Sequence, residues 1–349
     1  MIPKTQASNH LTLIEKSEGT PQWSQELGQA LRNPLEICQR LNLNPEDLPG
    51  GREGLEQGHQ LFSSLVPLPF LERMEKGNPK DPLLLQVLPA LEEQQKQPGF
   101  VTDPLQEKRF NPLPGLIHKY RSRVLLTLSG GCAVNCRYCF RRHFPYAENT
   151  LSKAALQKVI AYLQEHPEIN EVIFSGGDPL ATPDTRLSEI VSQLEQLPQL
   201  KRLRIHSRLP VVLPSRVDAK LLSWLKATRL QTILVLHINH PQELDQSLIQ
   251  ALHELRTTNS ILLNQTVLLK GINANAAVLT QLSEQLFAAG VLPYYLHTLD
   301  PVQGAAHFAI QDQEAKEIYA ELLANLPGYL VPKLVREYAD QLSKTPLGW

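Results

Sequence analysis

Several features that would narrow this chain's role are missing from it. No apolar run approaches the ~20 residues that a membrane span needs, and no charged-then-apolar start marks a secretory signal. Both gaps point to a soluble, cytosolic protein. Neither sign of charge dominates: 34 basic against 35 acidic side chains leave a formal net charge of -1. That balance argues against nucleic acid or an anionic membrane as the main partner. Cysteine is scarce as well. Four residues in 349 read as metal or redox chemistry and not as a disulfide framework.

What is present is concentrated. Three of the four cysteines lie in Cys132-Ala-Val-Asn-Cys136-Arg-Tyr-Cys139. Thiolates are soft ligands, and such a cluster suits zinc or an iron–sulfur centre. A closed zinc site asks for four protein ligands, and no fourth cysteine stands nearby. Three cysteines on a 4Fe–4S cluster would leave one iron open to something small. Lone Cys38, in Leu35-Glu-Ile-Cys-Gln, is expected to be a buried thiol packed in a helix.

Taken in order, residues 1 to about 20 are polar and expected to fray. Apolar spacing predicts helices over 23–31, 34–41 (with Pro34 in the first turn), 70–75 and 83–96. Residues 44–51 and 76–82 read as loops. This third shows no chemistry and is expected to be a helical extension, residues 1–110, buttressing a catalytic domain, residues 111–349. From Arg123 the texture changes. Short apolar runs begin at Val124, Glu171, Arg202, Thr232, Leu262 and Leu292, and helical stretches (153–164, 185–194, 218–226, 242–256, 276–289) separate them. Strands alternating with helices imply parallel βαβ units, six here, in an α/β fold. Parallel α/β barrels carry their sites at the C-terminal strand ends. The cysteine loop and Ser175-Gly176-Gly177-Asp178-Pro179 follow strands one and two, so both fall on one rim. The second loop has neither the G-x-x-x-x-G-K of a P-loop nor the G-x-G-x-x-G of a dinucleotide site. Its glycines allow close backbone approach, and Asp178 serves either as acceptor for an ammonium or as a helix cap.

The C-x3-C-x2-C spacing, with aromatic Tyr138 before the last cysteine, resembles the signature of the radical S-adenosylmethionine (SAM) enzymes. The resemblance implies a partial, open (β/α)6 barrel and a 4Fe–4S cluster on Cys132, Cys136 and Cys139. It also implies SAM bound near Tyr138, Gly176, Gly177 and Asp178. A narrower likeness runs through Leu116-Ile-His-Lys-Tyr-Arg-Ser-Arg-Val, Cys139-Phe-Arg-Arg-His-Phe, Arg204-Ile-His-Ser-Arg-Leu-Pro, His237-Ile-Asn-His-Pro, Asn264-Gln-Thr-Val-Leu-Leu-Lys-Gly-Ile-Asn, Pro293-Tyr-Tyr-Leu-His, Val331-Pro and Lys344-Thr-Pro. In order and spacing these are similar to the lysine 2,3-aminomutases, which also carry pyridoxal phosphate (PLP).

That likeness implies a Schiff-base lysine. Lys344 stands at the family's interval after Val331-Pro and Lys333 does not, so Lys344 is favoured, although Ala339-Asp-Gln-Leu-Ser343 replaces the family's glycine run. Lys119, Tyr120 and Arg123 match the PLP-phosphate segment, and His237 and Gln265 match strand-end positions that contact SAM. Arg141 matches the arginine that forks onto the substrate carboxylate. Asp300 and Glu337 occupy the acidic positions that hold the lysine ε-ammonium, Glu337 standing where aspartate is usual. Two carboxylates demand a cationic side chain. The sequence ends five residues after Lys344, without the family's longer C-terminal segment. With Met74-Glu-Lys-Gly-Asn-Pro and Val302-Gln-Gly-Ala-Ala-His-Phe, this resembles the bacterial branch serving translation elongation factor P. The implied function is an isomerase converting L-lysine, free or on the factor, to (R)-β-lysine, with the factor, its lysyl ligase and an electron donor as partners. Two rivals stay open: a radical SAM enzyme without PLP, and an iron–sulfur redox sensor that binds a partner.

Overall fold

A computed structural model describes residues 20–348; the stretch expected to fray, before residue 20, lies outside the described residues. The centre is one sheet of nine strands paired in chain order, from β1 (Leu116–Tyr120) and β2 (Arg123–Ser129) through β3 (Glu171–Gly176), β4 (Arg202–Ser207), β5 (Gln231–Leu236), β6 (Ile261–Leu268) and β7 (Leu292–Thr298) to β8 (Lys333–Arg336) and β9 (Thr345–Pro346). Strands β2 to β8 run parallel; β1 and β9 are antiparallel additions at the two edges. The edges do not pair with each other, so the barrel is open. Among the described residues no helix is long and apolar enough to cross a membrane.

The central strands form where the chain offers short apolar runs that can be covered on both faces. All six residues of β3 are buried. Val124 pairs with Val172, Phe174 with Ile205, and Ile205 with Leu234, which brings the C-terminal ends of β2 to β5 to one rim. Helices return the chain between strands and start where a side chain takes an orphan N–H. Ser152, Asp218, Asp245 and Asn275 each cap in this way. One apolar core runs from Trp23, Ile37 and Phe70 through Leu126, Phe174 and Leu234, so the helical extension and the sheet share it. Cys38 is fully buried in the helix Pro34–Arg40, with Pro34 at its start and Asn33 as cap.

Local expectations failed in several places. The predicted helix over 83–96 is two 3-10 turns, Leu84–Gln86 and Leu91–Gln94, because Pro89 between them cannot donate. The helix over 70–75 is one turn, Leu68–Leu71. A helix at Gly51–Leu61 was not foreseen. Its glycines lower helical propensity, yet packing requires them: a Cβ on Gly58 would press within 3.0 Å of Pro89 and one on Gly54 within 3.3 Å of Leu91. Edge strands β1 and β9, strand β8 and the helix Asp312–Asn325 were also unforeseen, and β8 makes seven parallel strands where six units were expected.

Candidate active site

The cysteine loop leaves β2 and is fastened on two sides. Behind it, Arg137, between Cys136 and Tyr138, is fully buried. Its Nε and Nη2 fork onto Glu93 at 2.7 and 2.5 Å, and its other N–H groups reach the carbonyls of Phe62 and Gly58. Arg142 donates to the same Glu93 Oε2 at 2.7 Å. A buried carboxylate between two guanidiniums in this way is compensated by charge-assisted hydrogen bonds. In front, Gly177 N and Asp178 N donate to the carbonyls of Ser129 and Gly131 at 2.7 and 2.8 Å. A Cβ on Gly177 would collide with the Gly131 carbonyl, and one on Gly176 (φ +123) would lie 2.6 Å from Ser129 O. The two glycines are thus needed for loop-on-loop packing.

The three cysteines are free thiols lining a cavity of about 420 Å³ at the C-terminal strand ends. Burial first, and the other cysteines second, push the Cys132 and Cys139 thiols up, Cys139 to about 11. Such crowded thiols keep their protons unless a cationic centre replaces them. Among the described residues no three His, Cys, Asp or Glu side chains converge on a single metal ion. The donor set fits a cluster instead, in which each thiolate takes a different iron.

The far wall of the cavity is built from the sheet edges. Glu337, one residue past β8, accepts from Lys344 Nζ at 2.6 Å, Tyr120 OH at 2.7 Å and Lys119 Nζ at 3.2 Å. Burial pushes its carboxyl up, but Lys344, Tyr120 and Lys119 outweigh burial and hold it well below the usual range. Asp300, after β7, accepts from no side chain among the described residues. Burial, and then Glu337, raise its carboxyl to about 7. Tyr295 lies beneath Lys344, with Nζ 5.6 Å from the ring centre. Arg141, two residues past Cys139, also lines the cavity and is paired bidentately with Glu107.

The Radical SAM superfamily pattern matches residues 126–273, from within β2 to beyond β6. The chain is 52% identical to an L-lysine 2,3-aminomutase of Escherichia coli (strain K12) over 326 residues, 93% of this chain and 94% of that one. It is 51% identical to the protein of that name from Haemophilus influenzae, with the same coverage. Against the Clostridium subterminale L-lysine 2,3-aminomutase the identity is 32%, over 91% of this chain and 76% of that one. This chain belongs to the radical SAM lysine 2,3-aminomutases. The radical SAM family carries a 4Fe–4S cluster and SAM, and the three-thiol donor set suits that cluster.

For an aminomutase, the cavity places the expected residues together while giving several of them different partners. The three cysteines, Arg141, Asp300, Glu337 and Lys344 all line it, as do His237 and Gln265. Lys333 is exposed on β8 and does not. Asp178, expected as an ammonium acceptor, has its carboxylate filled by Ser207 Oγ and the backbone N–H groups of Leu180, Arg208 and Leu209. Four donors saturate it, so it ties the loops after β3 and β4 together. Tyr138 buries its hydroxyl in a network with Arg208, Asn239 and Gln86. Lys119 and Tyr120, expected to face a phosphate, are engaged by Glu337. Arg123, stacked 4.0 Å from the Tyr120 ring centre, donates to none of the described residues.

Sequence reasoning missed other wall residues. His206 and His297 line the cavity with their Nε2 atoms buried and unpartnered, and burial holds both rings well below the ordinary histidine range. His237 is likewise lowered, to about 3, by burial and then by Arg208, and pairs with Gln265 at 2.8 Å. Arg208 donates to Cys136 Sγ at 2.8 Å and to Glu243 at 3.0 Å. Strand alternation could have flagged His206 and His297. Nothing local could have flagged Glu107, whose role depends on a contact 34 residues away.

Proposed function

We propose that this chain converts L-lysine to (R)-β-lysine with a 4Fe–4S cluster on Cys132, Cys136 and Cys139, SAM, and PLP on Lys344. We further propose that a separate ligase carries the product to translation elongation factor P. The observation that supports this reading best is a single cavity lined by the three thiols, Lys344, Arg141 and the acidic pair Asp300 and Glu337. When bound, the cluster supplies an electron, SAM the radical precursor and PLP a conjugated electron sink.

The fit to PLP rests on this chain's residues. Lys344 supplies the amine, Tyr295 offers a flat aromatic face beside it, and Arg123 has a guanidinium unclaimed by the described residues, suited to phosphate. His206 and His297 present unpartnered nitrogens that a polar group can satisfy. Lys344 Nζ donates to Glu337 Oε2 at 2.6 Å. Releasing it from that partner exposes the carboxylate that then receives the substrate's ε-ammonium. Asp300 completes this cation site, and Arg141 is the fork for the α-carboxylate. Binding at both ends aligns the carbon chain between them. Leu105, Phe110 and Phe140 in the wall keep water from the reacting carbons. The segment before residue 110 is proposed to act as the extension that braces the cysteine loop through Glu93.

The test is anaerobic incubation of cluster-loaded protein with PLP, SAM, reductant and L-lysine, followed by chromatography for β-lysine. Formation of 5′-deoxyadenosine without β-lysine would sink the aminomutase assignment. Adding lysyl-modified and unmodified elongation factor P as alternative substrates checks the second proposal.

A further inference from the structure

The chain already fills the Nε–Nη2 edge of Arg141. Nε and Nη2 donate to Glu107 Oε2 and Oε1 at 2.8 and 2.5 Å, while Nη1 is taken by Ser175 Oγ at 2.9 Å and, at 3.5 Å, by the Gly176 carbonyl. The two side chains are only 9% and 12% exposed, so solvent screens the pair little. A second, smaller pocket lies against the same pair, walled by Glu107, Arg141, Lys108, His143 and Phe144. The ion pair is therefore a partition between the main cavity and this outer pocket.

Glu107 does not come from the rigid sheet. It opens the 3-10 turn Glu107–Phe110 in a strap that starts at Val101, which is hydrogen-bonded to Pro301 and Gln303, next to Asp300. Gln106, immediately before it, takes a left-handed φ of +49, a conformation that side chains of its size disfavour. Asp103 ties this turn locally, accepting from Gln106 N at its carbonyl and from Glu107 N at its Oδ1, so what Arg141 holds is the Glu107 side chain. Leu105 and Phe110 of the same strap line the main cavity.

A substrate carboxylate cannot fork onto Arg141 while Glu107 holds that edge. We propose that Glu107 is a placeholder for the substrate α-carboxylate. It keeps Arg141 paired and aimed before substrate binds, and a ligand carrying its own carboxylate displaces it together with its strap. This inference rests on the aminomutase reading, in which Arg141 receives that carboxylate. Glu107 thereby determines specificity. A diamine with the same ammonium end and no carboxylate has nothing to exchange for it, and evicting Glu107 would leave a buried guanidinium unpaired.

Calorimetric titration of L-lysine and of cadaverine into cluster- and PLP-loaded protein, without SAM or reductant, tests this directly. Glu107→Gln removes the competing charge, so L-lysine should bind about tenfold tighter because the open site is no longer shared. Cadaverine affinity should move by less than about twofold, a shift too small to reflect a change at Arg141. Equal or weaker lysine binding by Glu107→Gln with normal iron and PLP content overturns the proposal. So does a parallel gain for cadaverine, the sign of a merely loosened site. Absence of lysine binding to both proteins overturns the aminomutase reading and the placeholder with it. The unsubstituted chain provides an arm independent of folding defects. Hydrogen exchange in residues 101–111 should change when L-lysine binds and not when cadaverine is added; bound lysine without that change refutes the displacement.

Discussion

Lys344 Nζ and Glu337 Oε2 stand 2.6 Å apart, so the proposed cofactor lysine and the proposed substrate-binding acid neutralise one another. In the proposed function neither acts until the pair separates, which would couple attachment of PLP to preparation of the ammonium site.

Lys344→Ala should abolish the long-wavelength absorbance of bound PLP, while Lys333→Ala keeps it and alters stability by no more than about 0.5 kcal/mol, as an exposed change does. Spectra of the two variants loaded in parallel decide the point. A band retained in Lys344→Ala would transfer the cofactor elsewhere.

Glu337→Gln strips Lys119 and Lys344 of a shared partner whose side chain is 15% exposed. Loss of a largely buried ionic partner costs about 3–5 kcal/mol at the upper end, so the denaturant midpoint should fall and the KM for lysine should rise at least about tenfold. A variant with unchanged midpoint and KM would remove Glu337 from both roles.

Burial, and then Glu337, push the Asp300 carboxyl up to about 7. A cationic substrate favours the ionised form, so binding expels a proton below that pH. Lysine affinity should therefore decline as pH falls from about 8 to about 6, by up to about tenfold per unit at the acid end. Asp300→Asn should bind more weakly and flatten this slope. Calorimetry across that range measures both, and a pH-independent affinity in the parent protein would rule out Asp300 as the titrating partner.

Gly177→Ala places a methyl against the Gly131 carbonyl. Overpacking of this kind costs about 1–3 kcal/mol and would part the two loops that frame the cysteines. Iron bound per chain after reconstitution should drop while the helical circular dichroism persists. Full iron loading in that variant would show that the loops tolerate separation.

Glu93→Gln leaves Arg137 and Arg142 sharing a neutral amide in a dry site. A loss of about 3–5 kcal/mol is expected, together with faster loss of iron from the loaded protein. Retained stability would mean that the Phe62 and Gly58 carbonyls alone hold the loop.

Much of this arrangement was readable from residues. The cysteine spacing, the parallel strands from Val124 to Leu296, the shared rim and the opposing charges of Arg141 and Asp300 all rest on local sequence. Strands β1 and β8 were not, because β1 mixes His118 and Lys119 among apolar residues and β8 is only four residues long. The helix Gly51–Leu61 was hidden by glycines that only its packing against Pro89–Leu91 explains. Asp178 was read with a cap as the alternative, and the cap is what its carboxylate provides. Glu107, Glu93 and His297 escaped because burial and pairing across distant segments confer their importance.

The sheet has two unpaired margins, and Glu337 reaches across them. Lys119 and Tyr120 come from the β1 margin, and Lys344 precedes β9 at the other. Backbone ladders hold every seam of this cylinder except one, and that one is fastened by a clasp of ionic and hydroxyl contacts. A ladder breaks only by unfolding, whereas a clasp yields to competition from another ammonium. The seam between the two margins thus depends on side chains that also line the cavity, and not on backbone pairing.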